Sequence, residues 1–223
     1  MTDVLVPGGR DVRGTLDSAS EAERGEASTA SRERSDPRAS DASDTGGADA
    51  DVCIVACPPH PQHRGHRGDE RLRAVSDVLI DGGVDCLRFD YGNWDRGYGE
   101  RADVRNAVAW ARERYERVGL FGFSFGGTLS LLVGSEGDVG AVSALAPTAR
   151  IASDLDAVEA MEDIDCPAQV VYATRDNTAD WEPIVERARE LEFEAVEFSA
   201  DHFFIGQAEK VGDAVGEWLL DTL

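Results

Sequence analysis

Two hydrophobic periods divide most of the chain. Residues 52–56, 84–89, 118–123, 139–145, 168–173 and 195–198 are short, densely apolar runs, which predicts buried strands. Between them Leu72, Val75, Val78 and Leu79 recur at helical spacing, and so do Val104, Ala107, Val108, Ala111 and Tyr115. Ile184, Val185, Ala188 and Leu191 form a third such stripe. Helices are predicted over 70–80, 101–117, 125–133, 181–191 and 207–220. Strands alternating with helices imply a mostly parallel central sheet, covered on both faces and joined by right-handed crossovers. In such sheets the reacting groups gather at the carboxyl ends of the strands.

The first fifty residues break this pattern. Two apolar patches, 4–6 and 12–16, flank Pro7-Gly8-Gly9, which predicts an edge hairpin over 1–17. From 18 to 50 Ser, Ala, Asp, Glu, Arg and Gly displace nearly every large apolar residue. That composition reads as an acidic, flexible insertion unable to bury enough surface to order itself. The expected catalytic domain is 51–223. No window reaches the roughly 18 apolar residues of a membrane span. The first ten residues include Asp3 and carry neither a basic leader nor an apolar stretch, so a cytoplasmic protein is expected. Cys53, Cys57, Cys86 and Cys166 sit in or beside apolar runs, as buried thiols in a reducing compartment do.

Charge narrows the partners. The 223 residues hold 44 acids against 22 bases, a net charge of −22, which argues against nucleic acid and against anionic membrane surfaces. Only Lys210 breaks an otherwise all-arginine basic set. An acidic, nearly lysine-free surface resembles those of proteins from salt-loving archaea. The acidity is not a property of the 18–50 segment. Residues 118–223 carry 21 acids and 5 bases, whereas residues 51–117 carry 12 and 11.

The sharpest chemical signal is Gly122-Phe123-Ser124-Phe125-Gly126. Seven of the fourteen serines lie in the 18–50 segment, so a serine gains meaning here only from its setting. Ser124 follows an apolar strand and opens a helix. A turn that tight needs small residues two before and two after, and it lifts the hydroxyl above the sheet. The blander account is a glycine-rich turn with a serine cap. The N–H of Phe125, at the helix start, points where an oxyanion would form. A serine nucleophile needs a base and an orienting carboxylate. His202 follows the last strand and precedes the last helix. Asp176 and Asp180 both follow strand 168–173. Asp180 occupies an apparent helix-cap position, so Asp176, nearer the strand end, is favoured, and Asp201 is a poor third. In the loop after the first central strand, Pro61 lets the Gln62 N–H turn inward as a second oxyanion donor. His60, His63 and His66 are spaced by three, but the segment is rich in Pro and Gly, so no metal is expected. His60 and His63, with Tyr91 and Trp94 from the loop after the next strand, are candidate pocket walls. That loop has neither a phosphate-loop lysine nor a G-x-G-x-x-G pattern, so no nucleotide cofactor is expected.

These pieces resemble the α/β-hydrolase superfamily and, more narrowly, the small lidless hydrolases related to dienelactone hydrolase. The resemblance rests on Pro59-His60-Pro61, Leu87-Arg88-Phe89-Asp90-Tyr91, the Gly97-x-Gly99-Glu100 turn, 122–127 and Ala200-Asp201-His202-Phe203-Phe204, and spans about 52–220. It departs at Ala173, where the family has glycine, at Gly92-Asn93, where it has Arg-Gly, and at the 18–50 insertion. The resemblance implies a three-layer fold without a cap domain and a Ser124–His202–Asp176 triad. Phe125 and Gln62 would then be backbone oxyanion donors, and a small-molecule acyl substrate is implied. Acyl transfer or thioester cleavage on the same residues, or a non-catalytic binding module of this fold, are the alternatives. About twenty residues separate 139–145 from 168–173, too few for a cap. If the acidity is salt adaptation, self-repulsion destabilises the fold in dilute buffer. Tm is expected to rise with added KCl, and a Tm that stays flat or falls removes that explanation.

Overall fold

In a computed structural model of the chain, which describes residues 1–19 and 51–223, every residue of β3 (Val52–Cys57) is buried. Its alternation divides the core in two. Cys53, Val55 and Cys57 face a cluster shared with Val104, Ala107 and Val108 of α2 (Tyr98–Arg112), Leu129 and Leu132 of α3 (Phe125–Gly134), and Ile184 and Val185 of α5 (Glu182–Glu190). Ile54 and Ala56 face the other way, toward Leu72, Val75 and Leu79 of α1 (Glu70–Asp81) and Val211, Val215 and Leu219 of α6 (Ala208–Thr222). Three layers result: three helices, a sheet, and two helices. Because helices cover both faces, the strands need apolar side chains at successive positions, which accounts for the unbroken apolar runs.

The remaining strands are β1 (Thr2–Val6), β2 (Val12–Asp17), β4 (Asp85–Asp90), β5 (Arg117–Phe123), β6 (Ala141–Leu145), β7 (Arg150–Ala152), β8 (Leu155–Asp156), β9 (Ala168–Ala173) and β10 (Glu194–Phe198). The main sheet runs β1-β2-β4-β3-β5-β6-β9-β10, parallel from β4 to β10. The hairpin β1–β2 joins it antiparallel through β4, with Gly14 opposite Phe89. Strand order reverses around β3, where β4 lies on one side and β5 on the other. That is the kind of switch point at which a crevice opens beyond the strands' carboxyl ends.

Several boundaries differ from those the sequence predicts. Helix α2 starts at Tyr98, not 101, because Gly97 takes φ +96° and the buried Glu100 carboxylate accepts the Asp95 and Gly97 N–H groups at 2.8 Å. It stops at Arg112, not 117. Tyr115, counted in the helical stripe, instead reaches from the following turn to donate its hydroxyl to the buried Asp85 carboxylate at 2.9 Å. Residues 146–167, unassigned from sequence, hold the small hairpin β7–β8 and the single-turn helix α4 (Ala157–Ala160). Asp156 caps α4 by accepting the Val158 and Glu159 N–H groups. These residues form a low wall and no cap domain.

The expected insertion at 18–50 lies, from residue 20 onward, outside the described residues. Its first two positions belong to the folded part, since Ala19 is buried and donates its N–H to Asp85 at 3.0 Å. Asp17 is buried too and accepts from Arg88 Nε at 2.5 Å and Ser76 Oγ at 2.8 Å, which ties the hairpin to β4 and α1.

Two glycines set how closely α3 nests on the sheet. A Cβ on Gly122 would stand 2.2 Å from the Gly126 carbonyl oxygen. One on Gly126 would stand 2.2 Å from the Cys57 carbonyl oxygen and 2.5 Å from that of Pro58. Backbone atoms on both sides leave no flexible group to yield. Gly126→Ala is expected to cost about 1–3 kcal/mol, as overpacking does, and to lower Tm by several degrees. A thermal melt checks this, and an unchanged Tm contradicts such close packing.

Candidate active site

Ser124 occupies the single residue between β5 and α3, with φ 55° and ψ −118°. A non-glycine residue held there costs about 1–3 kcal/mol and persists only if its surroundings determine it. They do. The Ser124 N–H donates to the Leu145 carbonyl at 2.7 Å, and its own carbonyl accepts the Thr128 N–H at 3.0 Å. The buried Thr128 hydroxyl accepts the Thr148 N–H at 2.9 Å, so α3 is bound to the loop after β6 as well. The Ser124 side chain is thereby directed off the end of the sheet.

Its Oγ lies 2.9 Å from His202 Nε2, and His202 Nδ1 lies 2.6 Å from Asp176 Oδ2. Both His202 and Asp176 are buried, at 4% and 7% exposure, so this pairing takes place largely out of water. Asp176 Oδ1 accepts the Thr178 and Ala179 N–H groups at 2.8 and 3.0 Å, which satisfies the carboxylate without a cation. A carboxylate at Nδ1 keeps the proton on that nitrogen and leaves Nε2 free to accept from Ser124. Trp181 Nε1 donates to the Asp176 carbonyl at 3.3 Å and stacks on Tyr172 of β9, steadying the turn that carries the aspartate. His202 is set by its neighbour Phe204, which is fully buried and meets Phe123 and Phe198 edge-on.

The competing aspartates stand apart. Asp180 is exposed, and it does not cap α5: Trp181 occupies the cap position without a side-chain bond. Asp180 acts through its backbone, donating to Thr148 Oγ1 and accepting from Ala149. Asp201 turns its carboxylate to the Phe203 N–H.

Ser124 and His202 open on a cavity of about 1000 Å³. His60, His63 and Trp94 line it, together with Phe125 and residues Arg150, Ile151 and Ala152 of the low hairpin wall. Tyr91, expected in that lining, stands behind it instead. Its hydroxyl donates to the Pro58 carbonyl at 3.0 Å and its ring meets Phe125 edge-on, so it props the wall. Gln62 also differs from expectation. His60 caps the short turn Pro61–His63, and its Nδ1 accepts the Gln62 N–H at 3.2 Å, so that donor is engaged rather than turned inward. Burial, and then the adjacent His63, hold the His60 imidazole below its ordinary pKa, which suits it to accept. His66 likewise accepts the Gly68 N–H at Nδ1, away from the stacked His60–His63 pair. The Phe125 N–H opens α3 and has no partner within the helix.

Sequence reasoning missed Arg71. It projects from the first turn of α1 into the cavity lining with its guanidinium 4.5 Å over the Phe123 ring. It pairs with Asp69 at 2.5 Å and donates to the Phe203 carbonyl at 2.9 Å, one residue past His202. Its Nε is buried without a partner among the described residues, a cost of about 1–3 kcal/mol. Nothing in the local sequence separates this arginine from Arg73 or Arg67.

A three-layer α/β sheet with its site at the strands' carboxyl edge and no lid is the fold of the lidless α/β serine hydrolases. The chain belongs to the dienelactone hydrolase family, which residues 94–212 match. No curated protein matches it. Solved structures share the fold at low identity. An α/β serine hydrolase homologue from Coxiella burnetii is 19% identical over 98% of this chain and 97% of its own, with TM-score 0.71. XC6422 from Xanthomonas campestris, a serine hydrolase without lid, is 19% identical over 97% and 94%, with TM-score 0.69. Est1E from Butyrivibrio proteoclasticus is 16% identical over 99% and 98%, with TM-score 0.77. Among the described residues no helix is long and apolar enough to cross a membrane.

Cys57 ends β3 close to this site, yet burial raises its thiol to about 12, and Cys86 likewise to about 12. Burial also raises the Cys53 thiol well above its ordinary pKa. At pH 8 these thiols are protonated and enclosed, so none of the three is available as a nucleophile. Iodoacetamide at pH 8 is expected to leave Cys53, Cys57 and Cys86 unmodified in the folded protein and to alkylate all three in denaturant. Rapid native labelling of Cys57 is the contrary result, read by mass spectrometry.

Proposed function

We propose that the protein is a serine hydrolase of carboxylic esters or related acyl bonds on small or exposed substrates. The observation that carries this reading is the continuous hydrogen-bonded line from Ser124 Oγ through His202 to Asp176. In this reading the proton on Ser124 Oγ passes to His202 Nε2 as the oxygen attacks the substrate carbonyl. Asp176 holds the ring and stabilises the imidazolium. The oxyanion forms against the Phe125 N–H at the start of α3. His202 returns the proton to the leaving alcohol oxygen, and Ser124 keeps the acyl group. Water then enters, His202 removes its proton, and the acid departs with Ser124 restored.

The open cavity supports small or projecting acyl groups, since residues 146–167 raise only a hairpin and a single-turn helix beside it. The catalytic unit in this reading is 51–223, with hairpin 1–17 extending its sheet. Four free cysteines, three of them buried, fit a reducing cytoplasm. Ser124→Ala and His202→Ala are each expected to lower kcat on short-chain p-nitrophenyl esters by about 1000-fold or more, and Asp176→Asn by a comparable factor. Asp180→Asn should leave the rate within about twofold. Activity that survives Ser124→Ala, or is lost in Asp180→Asn but not Asp176→Asn, overturns these assignments.

A further inference from the structure

We infer that the acyl group accepted at this site is aromatic; this rests on the hydrolase reading above and names its substrate class. The chain is poor in rings, with four Trp, four Tyr, eight Phe and four His in 223 residues. Yet Trp94, Tyr98, Phe123, Phe125 and Phe203 line this one cavity, together with three of the four histidines. A concentration of that order is not what overall composition supplies.

The rings form two sets with different freedom. Phe123 and Phe203 surround His202, with centroids 5.5 and 5.2 Å from its imidazole. The face of Phe123 is already covered by the Arg71 guanidinium. The leaving oxygen belongs on this side, because it must receive its proton from His202 Nε2. The second set surrounds Phe125. His60 lies 4.9 Å and Trp94 5.7 Å from it, Trp94 lies 4.5 Å from His60, and His63 stacks on His60 at 4.6 Å. Among the described residues no guanidinium covers any ring of this set.

A substrate carbonyl has three substituent directions to satisfy. Its oxygen goes to the Phe125 N–H and its leaving oxygen to His202. The acyl group is left to run along the second ring set, in the cavity that Ile151 and Ala152 also line. Adjoining rings at mixed tilts, from 22° to 54°, offer both stacked and edge-on contacts to a planar guest. A flexible alkyl chain fills the same space but gains only burial and loses rotamer freedom. The lowered basicity of His60 keeps its ring neutral within the wall.

The test compares p-nitrophenyl benzoate with p-nitrophenyl butyrate, which share a leaving group and differ only in the acyl part. The wild-type protein is expected to show kcat/KM at least about tenfold higher on the benzoate. Trp94→Leu should lower the benzoate value about tenfold and the butyrate value far less. Equal or better use of butyrate by the wild type overturns the inference, and so does a Trp94→Leu variant that loses both activities in the same proportion. Labelling of Ser124 by a fluorophosphonate probe separates the two levels. A labelled protein without an aromatic preference removes this inference alone, whereas a folded protein that neither labels nor turns over an ester removes the hydrolase reading with it.

Discussion

The backbone at Ser124 is the constraint from which the rest of the site follows. A residue with φ 55° between a strand and a helix is stable only where the flanking chain admits no alternative. Gly122 and Gly126 let α3 press against the carbonyls at the end of β3, and the Ser124 N–H is fixed to β6 through Leu145. Three neighbouring parallel strands thus hold one residue. The strain is modest beside the burial of α3, all ten of whose residues are enclosed. The same nesting leaves the first N–H groups of α3 facing the cavity, so nucleophile presentation and oxyanion stabilisation in the proposed reaction share one geometric cause.

Electrostatics at the site run against the character of the chain. An acidic protein with net charge −22 keeps its key carboxylate supplied by neutral donors: two backbone N–H groups and one imidazole. A guanidinium there would bind the carboxylate more strongly and compete with His202 for it. Arg71, the nearby half-buried cation, is directed to Asp69 and to the Phe203 carbonyl instead. It therefore fixes the loop carrying His202 without entering the Asp176–His202 pair.

Much of this was legible in the sequence because the relevant features are local. Apolar runs of strand length and helical stripes located the layers, and Ser124, Asp176 and His202 each lie within four residues of a strand's end, where position along the chain translates into position in space. What escaped depends on distant contacts. Tyr115 continues the helical stripe, but its hydroxyl is claimed by Asp85 on another strand, so the helix ends early. Asp180 has the sequence context of a cap, yet Thr148, thirty-two residues away, engages its backbone. Arg71 gains its meaning only when α1 meets the loop after β10. Gln62 was misjudged for a subtler reason: proline fixes the chain direction, but the ring of His60 is the nearer acceptor.

The two walls of the cavity have different mechanical origins, and the topology explains why. The His202 wall is carried by β9 and β10 at one end of the sheet, where Phe198 and Phe204 bury its base and Arg71 bridges to it from α1 on the same face of the sheet. The Ser124–His202–Asp176 line there is made of directed hydrogen bonds, which in the proposed reaction hold the proton path in register. The other wall rises from the loops after β3 and β4, on the far side of β5, and its rings contact one another chiefly through faces and edges. Such contacts tolerate small rotations that a 2.6 Å hydrogen bond does not. Ser124 stands at the seam because β5 is the strand between them. A rigid half can then conserve the chemistry while the ring-lined half accommodates shape, and no lid is needed to bring the two together.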